Sequence, residues 1–171
     1  IIKYWKDKWI FINSINNNVN FTARLKFNNI NRNLGCWKEV SKELPLKTKE
    51  YPHDILTLSS CPEGLDVAAI NTKNNADALV TILSDGYEKL MQMNNDKIIH
   101  KFKKMLSIFE YRDKEFEKAT KATDELRKNN NSKTIDKAID DIWDTAVDKV
   151  QMHKDNTIAG DEILESAKFY I

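Results

Sequence analysis

The chain has 171 residues, with 27 Lys/Arg against 26 Asp/Glu, so its formal net charge is +1. That balance excludes a general nucleic-acid binder, which needs an extended basic surface. With 41% hydrophobic residues, 31% charged residues, four glycines and three prolines, the composition is that of a globular, helix-rich chain long enough to bury a sizeable core.

The charges are unevenly spread. Residues 1–60 hold ten Lys/Arg and five Asp/Glu, whereas 61–171 hold seventeen and twenty-one, so the basic part is expected to dock on the acidic one. Lysine outnumbers arginine 23 to 4 and asparagines cluster at 16–18, 28–29 and 129–131, the mark of an AT-rich genome. No stretch approaches the roughly twenty apolar residues of a membrane span. The sequence begins at Ile1 instead of Met, as a processed form would, so the absence of a signal segment carries no weight.

In chain order, residues 1–12 wind into an amphipathic helix, with Ile1, Ile2, Tyr4, Trp5, Trp9, Phe11 and Ile12 on one broad face and Lys3, Lys6 and Asp7 on the other. Tyr4, Trp5 and Trp9 beside lysines also suit a membrane interface; the competing reading is a helix capping the core. Asn20-Phe21-Thr22 is an N-glycosylation sequon, a triplet that arises often by chance in an Asn-rich chain. From Val19 to Phe27 apolar and polar residues alternate strictly, which predicts a half-buried strand pairing antiparallel with Trp9–Ile12 or Ile55–Leu58. A short helix capped by Asn33 follows, with Leu34, Trp37, Val40 and Leu44 inward and its end at Pro45. Residues 45–66, with Pro45, Pro52, Pro62 and Gly64, read mostly as loop and as the boundary between an N-terminal element (1–66) and a helical bundle (67–171).

Within that bundle, Asn75 is expected to cap a helix carrying Leu79, Ile82, Leu83, Tyr87 and Leu90, and Asp96 to cap a long one. The long helix is the plainest pattern in the chain. Ile98, Phe102, Met105, Phe109, Arg112, Phe116, Ala119, Thr123 and Leu126 alternate at four- and three-residue spacing and lie on one stripe about eight turns long. A third helix carries Ile135, Ile139, Ile142, Trp143, Ala146, Val147 and Val150, and a last one, around Asp161 to Tyr170, carries Ile163, Leu164, Ala167 and Phe169. The predicted fold is therefore mainly α: an antiparallel bundle with a small N-terminal helix and β-ribbon element, or an all-α protein if the strand pattern is overridden.

Chemistry-bearing motifs are scarce. Cys36 and Cys61, the two cysteines, are expected to form a disulfide closing a loop of about 25 residues and contributing on the order of 3 kcal/mol, which would mark an exported protein. His53, His100 and His153 lack a metal-ligand neighbour at helical spacing, and there is no His-Glu-x-x-His, Cys-x-x-Cys, Gly-x-Ser-x-Gly or phosphate-cradling glycine loop. No metal, cofactor or catalytic residue is expected. Asp136, Asp140, Asp144 and Asp148 form a ladder of carboxylates read as a solvated acidic face or the docking site of a basic region. Lys101, Lys103 and Lys104 read as a solvated basic face. Arg112 interrupts the apolar stripe, so it needs a carboxylate such as Asp113; if the stripe is exposed there, Phe109, Arg112 and Phe116 form a partner-binding patch.

These readings point to a non-enzymatic protein that binds another protein, secreted or at the cell surface, with a cytoplasmic location as the alternative. The competing functions are membrane activity through the Trp/Lys-rich N-terminal segment and carriage of an apolar ligand between helices.

Overall fold

A computed structural model describes residues 24–33, 35–49, 53–71, 76–129 and 135–170. The amphipathic helix expected over 1–12, with Tyr4, Trp5 and Trp9, the sequon at Asn20 and the first residues of the expected strand lie outside them.

Helix is the main element among the described residues, but the helices do not form the expected bundle. Five strands, β1 (Arg24–Asn28), β2 (His53–Cys61), β3 (Gly64–Asn71), β4 (Ala76–Leu83) and β5 (Lys168–Phe169), make one mixed sheet in the order β1-β2-β3-β4-β5. The expected strand is present as β1 and pairs with 55–58, Phe27 opposite Leu58, but in parallel. The reason is the helix between them. α1 (Trp37–Lys47) is a crossover, and a strand-helix-strand unit returns the chain in the same direction. Trp37, Val40 and Leu44, at three- and four-residue spacing, are buried. α1 runs two residues past Pro45, and the buried Thr48 hydroxyl donates to the Leu44 carbonyl at 2.7 Å. Its N-cap is Cys36 instead of Asn33.

The segment expected to be loop is largely β2 and β3, joined by the two-residue turn Pro62–Glu63 with Cys61 opposite Gly64. Gly64 has φ +138, and a Cβ there would lie 2.2 Å from the Ile82 carbonyl oxygen, so only glycine fits the turn. β3 then pairs with all of β4 in eight registered positions. The expected cap, Asn75, lies outside the described residues, and that ladder makes the helix expected after it a strand followed by α2 (Ser84–Met91). Ala78, Val80 and Ile82 are buried and alternate with half-buried Leu79, Thr81 and Leu83. A short run such as Leu79-Val80-Thr81-Ile82-Leu83 satisfies both the helical and the strand period, and the neighbouring strand decides it. The boundary expected at residue 66 falls inside β3, and β5 brings the C-terminal end of the chain back to the same sheet.

The apolar rows of β2, β3 and β4 share one core with Trp37 and the first half of α3 (Asn95–Asn129). Trp37 lies between layers, its ring 6.0 Å from Phe27 and 6.4 Å from Phe102. Asn94 accepts from the Lys97 amide and begins α3; Asp96, expected as the cap, instead binds Lys47. At 1.5 Å per residue the 35-residue α3 is about 52 Å long, so it reaches well beyond the sheet. Its far half pairs with α4 (Ile135–Ile158). Contacts between 111 and 153, 115 and 149, and 116 and 143 show that the two run antiparallel. The molecule is thus a sheet-and-helix body carrying a two-helix arm. The last expected helix is a single turn, α5 (Glu162–Glu165), followed by β5.

Candidate functional site

The two cysteines do not form the expected bridge. Both are free: Cys36 precedes α1, and the Cys61 thiol faces Asp66 Oδ1 at 3.4 Å. Burial pushes the pKa of both thiols up, and the Asp66 carboxylate pushes that of Cys61 up further, so neither is activated as a nucleophile. Among the described residues no group of three or more His, Cys, Asp or Glu side chains is placed to hold a metal. His100 is exposed, and His153 stacks on Tyr111 with ring centroids 4.1 Å apart. No helix among the described residues is long and apolar enough to cross a membrane.

The lysine run was expected to be solvated, but two of its members bind a buried carboxylate. Asp161 is 6% exposed; it accepts from Lys101 and Lys104 Nζ and, as the N-cap of α5, from the Leu164 amide. Burial alone would push its pKa up; Lys101, the Leu164 N–H and Lys104 together hold it below the usual carboxylate value. The sequence carried the sign of this latch in Gly160-Asp161, a stop followed by a cap, but not its partners sixty residues away.

Of the three residues of the expected partner patch, Phe109 lies in the core of the body and Arg112 and Phe116 lie further along α3. Phe109 is buried, with its ring 6.3 Å from Phe169. Arg112, half-buried, donates to Asp113 Oδ1 from Nη2 at 3.0 Å and from Nε at 3.3 Å, and its guanidinium lies 5.9 Å from the Phe116 ring. Phe116 meets Trp143 edge-on at 5.5 Å. These contacts are those of a paired charge within a helix seam.

What the arm does present is a cleft of about 370 Å³ between α3 and α4. Its floor is Ala119, Ala146 and Ile142 with exposed Ala122 at the edge; Glu115, Lys118, Asp141 and Lys149 form its rim. Small residues keep the floor low because alanine side chains end one carbon from the backbone. Glu115 joins the two helices, binding Lys118 on its own helix and Lys149 of α4 at 3.8 Å. Glu115 is buried, and the Lys118 hydrogen bond outweighs that burial and, with both ammonium charges, holds it below its ordinary value. It is therefore an ionised strut at neutral pH. Beside the cleft, Ile135, Ala138, Ile139, Ile142 and Trp143 are only half-buried. The carboxylate ladder Asp136, Asp140, Asp144 and Asp148 lies exposed on the arm, together with Val147 and Met152.

Neither protein families, curated proteins nor solved structures give a match to this chain. The functional reading therefore rests on this geometry.

Proposed function

We propose that the chain is a non-enzymatic protein-binding module in which the α/β body holds the α3–α4 hairpin as a contact arm and a partner seats in the cleft between the two helices. The supporting observation is the half-covered apolar row of α4 beside a cleft floored by alanines. A two-helix layer buries one face of each helix against the other and leaves a second apolar face for a further layer. The charged rim gives such a contact orientation and the apolar floor gives it affinity. With both thiols free, the expected support for export is gone, and this reading concerns binding alone.

A photo-reactive phenylalanine analogue placed at Ala122 tests the reading, with the same group at exposed Glu88 on α2 as the control. In extract from the native source, irradiation should yield a discrete protein adduct from position 122 and none from 88. No adduct at 122, or the same set at both positions, would remove the arm as the contact surface.

A further inference from the structure

We propose that the partner seated in the cleft is a second copy of this chain, the two hairpins packing face to face and antiparallel, so that four helices from two molecules form one bundle. This deepens the proposed function and rests on it.

Charge complementarity favours a copy of the chain over an unrelated partner, and the shape and size of the face suit it. The first is the charge pattern of α4. Asp141 and Lys149, on the cleft rim, stand four residues to either side of Thr145, which lines the cleft between them. A two-fold axis crossing the helices at Thr145 sets Asp141 of one copy against Lys149 of the other, and the same pair recurs on the opposite side. A single surface thus complements itself. Asp141 is exposed, and Lys149 keeps 52% of its side chain exposed despite Glu115 at 3.8 Å, so both reach outward from the rim.

The second is the shape of the face. Ala119, Ala122 and Ala146 are small and Ile142 is half-buried. Two such layers can therefore approach to the 8–10 Å spacing of packed helices, burying Ile142 and the neighbouring Ile139 that one hairpin leaves half-covered. Antiparallel pairs of helices stacked in this way are a standard bundle arrangement.

The third is size. The arm over 135–150 is about 24 Å long and two helices wide. Such a face falls at or below the roughly 800 Å² per partner of a specific interface, the size of a reversible contact, and the concentration range of the test is chosen for a dissociation constant on the order of 1–10 μM.

Sedimentation equilibrium of the full chain from about 1 to 200 μM tests this, with two charge variants. The wild type should dimerise. Asp141→Lys and Lys149→Asp should each weaken self-association at least tenfold, because like charges then meet at both contacts. Mixing the two variants should restore a dimer of near wild-type affinity, since every contact in the mixed pair is again opposite in sign. Recovery on mixing is not expected of variants that merely misfold, and circular dichroism of each alone checks their folding. If a variant fails that check, the adduct from the Ala122 photo-probe decides: its mass must be twice that of the chain. A wild type that is monomeric at 200 μM, or a dimer indifferent to both substitutions, overturns the proposal. A monomer whose Ala122 probe captures a different protein also overturns it while leaving the proposed function standing, whereas no adduct at all removes both.

Discussion

The two halves of α3 carry one continuous stripe, yet they live in different surroundings. Ile98, Phe102, Met105 and Phe109 are no more than 2% exposed, packed into a core built with the sheet. Further along, Phe116 and Leu126 are half-buried, Arg112 needs Asp113, and the fully buried positions Ala119 and Thr123 are small. The first half is covered by a sheet and by α1, the second by a single helix. A helix pattern states which face must be covered; the amount of cover depends on what the rest of the chain supplies.

Truncations should reproduce this difference. Phe102→Ala removes a ring that is 1% exposed and should cost about 3–5 kcal/mol in denaturant unfolding. Asp161→Asn should cost about 2–3 kcal/mol, because two lysines lose a buried partner. The sign of its pH dependence follows from the lowered carboxyl. Its contribution is present above the unfolded value near 3.9 and is lost as pH falls through the lower folded value, so wild type and variant should converge below about pH 4 in urea titrations. Phe116→Ala, in the arm, should cost only about 1–2 kcal/mol, since the residue is incompletely buried. Equal losses at 102 and 116 would break the distinction between body and arm. In native-state hydrogen exchange, amides of 112–126 should exchange through openings of lower free energy than those of 98–109. The smallest effect is expected from Cys36→Ser with Cys61→Ser, within about 1 kcal/mol, and alkylation of the native chain without reductant should add two labels by intact mass.

The helices of 95–129 and 135–158 were legible because their periodicity is local and sustained. The Arg112–Asp113 pairing was equally so, since a charge in an apolar stripe demands a nearby counter-charge. The sheet was not. Alanine and isoleucine at Ala68 and Ile70 blur the alternation of β3, and Pro45 and Pro62 resemble a loop when the first lies within α1 and the second in a hairpin turn. The candidate cleft was hidden for a related reason: its parts, Glu115 to Ala122 and Asp141 to Lys149, come from two helices whose relative rotation no single-helix pattern states.

By itself the sequence determined a mainly helical chain, the stripe of α3, the inward Trp37, Val40 and Leu44 of α1 and the strand pattern of 19–27, whose described part is in β1, because each depends on residues a few positions apart. The tertiary structure alone decided that β1 and β2 run parallel across α1, that 76–83 is strand, that the cysteines stay apart, that Lys101 and Lys104 clamp Asp161, and that α3 outruns its sheet to leave an arm with an open face. Each of these joins segments distant in the chain, where the energy lies in pairing and burial that no local spacing encodes.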